Sequence, residues 1–188
     1  MQQAVSGGQF GHPRGIFYGG AAPTWSRNTL IKILRRFLGS ARRICVIDLH
    51  SGLGPKGYGE TISSYSIEQA EFQLAAKIFG SCVSSVTKSE LSSDLTGDAL
   101  SCLPSLLPHA EVTSVALEFG TKPILEVLHA LRADAWLHAF GDPAGVEGTP
   151  IKTAMLNAFY IDEPAWKGMV LGQAIHACRQ AVAGLNIP

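Results

Sequence analysis

His50 closes an apolar run, Ile44-Cys45-Val46-Ile47-Asp48-Leu49-His50, and opens a glycine-rich turn from Ser51 to Gly57. A short β-branched run that ends in glycine reads as a buried strand, and α/β folds place their chemistry at the carboxyl ends of such strands. An imidazole there can bind a metal or move a proton near neutral pH. Asp48 precedes it by two, so on a strand the two side chains share a face and the carboxylate can orient the ring. An aspartate satisfied by backbone amides at a strand end fits that position equally well. Glu118 lies near the end of a second apolar run, Ser114-Val115-Ala116-Leu117-Glu118-Phe119-Gly120. A carboxylate is costly to bury there without a partner, and burial raises its pKa towards the range useful to a general base. The alternative is a structural glutamate paired with an arginine or lysine.

Ser51, next to His50, and His138, which ends the apolar run Ala135-Trp136-Leu137, are further candidates to line a cleft. His12, His109, His129 and His176 are scattered, and His129 and His176 fall on helical patterns where a surface or core histidine is the default. Gly52-Leu53-Gly54-Pro55-Lys56-Gly57 formally matches the dinucleotide-binding pattern G-x-G-x-x-G. Those glycines should open a helix directly, whereas Pro55 and further loop come next, so a mobile or structural turn is the better reading. No His-Glu-x-x-His and no Gly-x-Ser-x-Gly occurs, which weighs against a serine hydrolase.

The elements that position these residues follow from pattern. Ser26 is the expected cap of a first helix carrying Leu30, Ile31, Leu34, Phe37 and Leu38 at helical spacing. Residues 42–50 form the first strand. Ser66 is the expected cap of a second helix, with Ala70, Leu74, Ala75 and Ile78 inside and Gly80 at its end. Residues 82–87 read as a short strand and residues 89–110 as a long loop. Residues 114–120 form a further strand. Pro123 opens a helix with Ile124, Leu125, Leu128 and Leu131 on one face. Residues 141–150 read as a Gly/Pro loop. A last helix starts near Pro164 with Trp166, Val170, Ala174, Ala177 and Ala181 inside. Strands alternating with helices predict an α/β, three-layer α/β/α domain with a mainly parallel, mixed sheet. Residues 1–188 form one domain, with an irregular lead-in over 1–24.

Composition narrows the function classes. The chain is 188 residues long, 46% hydrophobic and only 16% charged, with 15 basic and 15 acidic residues. That supports a real core but leaves few charges for a free-standing surface, and a face shared with another segment or subunit is one explanation. No basic stripe points to nucleic acid and no basic amphipathic helix to a membrane. Cys45, Cys82, Cys102 and Cys178 form no Cys-x-x-Cys pair, so small buried thiols in a reducing cytoplasm are the plain reading.

Ile47-Asp48-Leu49-His50-Ser51-Gly52, followed later by Ala116-Leu117-Glu118-Phe119-Gly120-Thr121, resembles the second half of a zinc carboxypeptidase-type domain. That superfamily includes the succinylglutamate desuccinylase and aspartoacylase branch. A bacterial group within it carries stretches similar to residues 7–13, 17–20, 23–26 and 130–134, so the likeness covers nearly the whole chain. The resemblance implies a zinc-dependent hydrolase of peptide C-termini or N-acyl amino acids, with His50 as the third zinc ligand. It implies Glu118 as the group that takes a proton from water and passes it to the leaving amine. The family's other two zinc ligands come from a His-x-x-Glu motif, and an Arg/Asn pair grips the substrate carboxylate. Both lie upstream of the matched region, and this chain has neither. Gly145-Val146-Glu147-Gly148 is similar to the surroundings of such a glutamate, but it lacks the histidine and comes after Glu118. The expectation is therefore the C-terminal part of such a catalytic domain, truncated at its N-terminus. One of three zinc ligands is present, and the chain is inactive alone or binds no zinc. A missing N-terminal half or a homo-oligomer would complete it. The alternative is a non-enzymatic remnant or interaction module.

Overall fold

The structure, a computed structural model, describes residues 7–80, 83–85 and 97–186. In chain order the elements are α1 (Trp25–Leu38), β1 (Arg43–Lys56), β2 (Gly59–Ser63), α2 (Ala70–Phe79), β3 (Val83–Ser85), α3 (Leu103–Leu106), β4 (Glu111–Gly120), α4 (Ile124–Phe140), α5 (Gly148–Phe159) and α6 (Pro164–Leu185). The four strands form one mixed sheet in the order β1-β4-β2-β3. β1 and β4 are parallel, as are β2 and β3, while β2 and β4 are antiparallel. The α/β architecture is the one expected from the alternating pattern.

The two sides of the sheet follow the period of two. Cys45, Ile47, Val115, Leu117 and Phe119 pack on one side with Phe72, Ala75 and Phe79 of α2 and Trp166, Ala177 and Ala181 of α6. Ile44, Val46, Val112 and Ala116 face the other side, against Leu34 and Leu38 of α1 and Leu100, Leu103 and Leu107. That second cover extends along the sheet only as far as Ala116. Beyond it, Asp48, His50 and Glu118 stand on the same side without a helix above them in that cluster. A third, smaller cluster joins Val127 and Ala130 of α4 to Ala158 of α5.

Several boundaries differ from expectation. The cap of α1 is Thr24, whose hydroxyl accepts the Arg27 amide at 3.3 Å, in place of Ser26. α1 buries none of its residues fully. Ser66 does not cap α2; it forms a turn with Gln69, and the helix starts one residue later. β1 runs past His50 to Lys56, because its chain curls over the tip of β4 and returns on the far side as β2. β2 itself, expected as loop, was hidden in a five-residue stretch next to that turn. α5 starts inside the expected 141–150 loop, at Gly148, and continues to Phe159. Within the expected 89–110 loop, residues 97–110 are turns and the short α3, and 89–96 lie outside the described residues. The expected 82–87 strand is β3 over Val83–Ser85; Cys82, Val86 and Thr87 lie outside the described residues.

α4 turns a different face inward. Val127, Ala130 and Leu137 are buried, while Ile124 and Leu125 are exposed. The helix leaves the tip of β4 and pairs with α5 instead of lying flat on the sheet. α6 buries Trp166, Ala174, Ala177 and Ala181, four of the five positions expected. No helix among the described residues is long and apolar enough to cross a membrane.

Candidate functional site

His50 and Glu118 are register partners across β1 and β4. Adjacent strands lie about 4.8 Å apart, and laterally paired residues point to the same face. Glu118 is also the register partner of Glu60 on β2. A row of one imidazole and two carboxylates therefore crosses three strands on one side of the sheet. Glu60 is buried, and its place in the row is visible only once β2 is known to pair with β4. Sequence reasoning missed it because Gly59–Ser63 read as loop.

Asp48 joins the row from the β1 side. Its Oδ2 lies 3.1 Å from His50 Nδ1. That contact engages Nδ1 and leaves Nε2 for a proton, a metal or a substrate. Both side chains are open to solvent, at 36% and 56% exposure, so the contact orients the ring more than it stabilises the fold.

Glu118 is held from above by the glycine-rich turn. The β1–β4 register shifts between Gly52 and Lys56, and the extra residues bulge over the sheet. The Leu53 amide thereby donates to Glu118 Oε1 at 3.0 Å. Burial pushes the Glu118 pKa above its ordinary 4.5. The Leu53 amide and His50 pull it down, and Asp48 and Glu60 push it up again. Burial and the neighbouring carboxylates win, so the group is readier to hold a proton than a surface glutamate.

The turn's glycines serve this geometry. Gly57 has φ +75°, and its amide donates to the Gly120 carbonyl at 2.9 Å. Gly120 sits so close beneath the turn that a Cβ there would fall 2.1 Å from the Pro55 carbonyl oxygen. No helix comes directly after the turn; β2 does.

Ser51 does not join His50. Successive residues alternate sides, and its hydroxyl donates to the Phe159 carbonyl at 2.6 Å. His138 belongs to a separate cluster on the α4–α5 hairpin. Its Nε2 accepts from Lys152 Nζ at 2.6 Å, and Lys152 also bonds Asp134 at 2.6 Å. Thr121 is a further residue that sequence reasoning did not single out for its side chain. Buried just past β4, its hydroxyl lies 2.7 Å from the Gly52 carbonyl and 2.6 Å from that of Ala158. It ties the tips of β1 and β4 to α5.

A groove of about 610 Å³ lies between α4 and α5, lined by Glu126, His129, Ile151 and Asn157 among others. A second, of about 380 Å³, lies beside Arg14 and Trp136. Neither includes Asp48, His50 or Glu118.

A catalytic zinc takes three protein ligands. Among the described residues no group of three His, Cys, Asp or Glu side chains is placed to hold an ion. His50 offers one nitrogen, and the described residues do not by themselves fit a complete zinc centre.

No curated protein and no solved structure matches the chain. A family described as a protein of unknown function, DUF2817, matches residues 1–173. With the match running from the lead-in through β1 and β4 into α6, the chain belongs to that family.

Proposed function

We propose that the His50–Glu118 row is the proton-transfer side of an amide-hydrolysing centre of the metallohydrolase kind. Its substrates would be peptide C-termini or N-acyl amino acids. One observation carries the reading: a half-buried carboxylate of raised pKa stands in register with an imidazole whose other nitrogen is already engaged by Asp48. In that role Glu118 takes a proton from the attacking water as its oxygen bonds the carbonyl carbon. It then delivers that proton to the nitrogen as the C–N bond breaks. His50 Nε2 is the donor atom that this chain offers to an ion. A complete centre needs further ligands beyond those that the described residues offer, and in this reading the isolated chain turns over little or nothing.

Zinc titration followed by calorimetry, with N-acetyl amino acids and short peptides assayed in parallel, tests this. The reading predicts weak zinc binding that His50→Ala abolishes, and no turnover above buffer. Binding that is absent, or that survives His50→Ala, contradicts the ligand role. Turnover that survives Glu118→Gln contradicts the proton-transfer role.

A further inference from the structure

We infer that Arg14 of the lead-in and Arg132 of α4 form a binding site for a small aromatic carboxylate, separate from the His50–Glu118 row. The two guanidinium groups line one pocket of about 380 Å³, together with Ile16, Leu128, Trp136 and Phe140. Among the described residues no acidic side chain lines it. The walls thus combine two cations with aromatic and aliphatic faces, which is what an anion carrying a ring requires.

One wall is a stripe of α4. Leu128, Arg132, Trp136 and Phe140 recur every four residues, so they lie along one ridge of the helix. Arg132 and Trp136, one turn apart, are neighbours on that surface.

The other wall is the lead-in turn, whose shape is fixed without a core. The Gln9 side chain accepts from the His12 amide at 2.7 Å and donates to the His12 carbonyl at 2.8 Å. The Gln9 backbone amide donates to the Phe17 carbonyl at 3.1 Å. Phe17 takes φ +53°, a conformation that is costly for a bulky residue. A Cβ at Gly15 would crowd Gln9 Nε2 at 2.9 Å and the His12 carbonyl oxygen at 3.1 Å. These bonds close residues 9–17 into one turn that presents Arg14 to α4. The Arg14 guanidinium sits 4.9 Å from the centre of the Phe140 ring. That contact holds the cation in place, while the ring has no oxygen lone pair to occupy its N–H donors.

The size of the pocket selects the ligand class. Small-molecule sites run from about 300 to about 1,000 Å³, so this one has room for a single ring with a short acidic arm and not for a dinucleotide. The carboxylate lies between the two guanidinium groups, one from each wall, and takes charge-assisted hydrogen bonds from both. The ring packs against the Trp136 indole. A neutral ring gives the arginines no anion, and an anion without a ring leaves the indole unused.

From Ile124 to Arg132 the helix rises about 12 Å. The pocket therefore lies about two turns beyond the point where α4 leaves the tip of β4, and it includes none of Asp48, His50 and Glu118. The proposal does not rest on the hydrolase reading, and the zinc titration stands or falls apart from it.

Tryptophan fluorescence on the full chain tests the site, with phenylacetate as the probe and phenylacetamide and acetate as controls. Phenylacetate should change the emission saturably with a midpoint at or below about 10 mM, and neither the neutral amide nor the ringless anion should saturate in that range. Arg14→Gln and Arg132→Gln should each weaken binding about tenfold or more. Both arginines are exposed, so circular dichroism and melting should stay as in the wild type. Trp136→Phe should remove the emission change while calorimetry still records binding, which assigns the signal to this indole and not to Trp25 or Trp166. No saturable phenylacetate binding, equal binding of phenylacetamide, or a midpoint indifferent to both arginine substitutions overturns the proposal. An emission change that survives Trp136→Phe places the ligand elsewhere and overturns it as well.

Discussion

The Leu53 amide reaches Glu118 Oε1 at 3.0 Å across 65 residues of chain. The bond exists because β1 overshoots the tip of β4 and folds back above it. The glycine turn next to His50 is thus part of the environment of Glu118, and changes in one should be felt in the other.

Glu118→Gln should stabilise the protein at neutral pH. The folded-state pKa of Glu118 lies above its ordinary 4.5, so the folded protein holds the proton more tightly than the unfolded chain. The stability this contributes is fully present below about pH 4.5 and is lost as pH rises through the folded-state value. Glutamine keeps an acceptor for the Leu53 amide without the buried charge. Thermal melts should therefore show the variant above wild type at pH 7, with the gap closing by pH 4. A variant that melts lower at pH 7 would mean that the carboxylate is compensated better than its surroundings indicate.

Gly120→Ala should be costly. The added methyl would fall 2.1 Å from a backbone oxygen, so the turn or the strand must move. Overpacking against backbone costs about 3 kcal/mol or more, against near neutrality for an exposed strand position. Lifting the turn also withdraws the Leu53 amide, so the Glu118 titration midpoint should rise with the loss of stability. Unchanged melting would place the turn elsewhere.

Thr121→Val preserves shape and removes one hydroxyl. The Gly52 carbonyl keeps the Thr121 amide, at 3.2 Å, whereas the Ala158 carbonyl loses the hydroxyl's proton. Leaving a buried acceptor unmatched costs about 1–3 kcal/mol. Chemical denaturation should show that loss with an unchanged slope, and hydrogen exchange should show it concentrated in α5.

β1 and β4 were legible because buried parallel strands must be nearly continuous apolar runs, and Ile44 to Leu49 and Val115 to Phe119 are such runs. α6 was legible because it lies flat on the sheet, so one helical stripe meets the core. α4 obeys the same periodicity rule but packs at the sheet's end against α5, and its Ile124 and Leu125 stripe faces outward. α5 begins Gly148-Thr149-Pro150, a start that reads as loop because its helical residues come only later. His50, Asp48 and Glu118 could be found from type and position alone. Glu60 and Thr121 could not, because their roles depend on which strand lies beside β4 and on which helix meets its tip.

The most direct measurement is a carbon-13 NMR pH titration of the Glu118 carboxyl in the wild-type protein and in His50→Ala. The geometry predicts a midpoint above 4.5 in the wild type. It predicts a further rise when the imidazole, whose charge favours the ionised carboxylate, is removed. A midpoint at or below 4.5 that does not move with His50→Ala would show that the two side chains do not share a cleft.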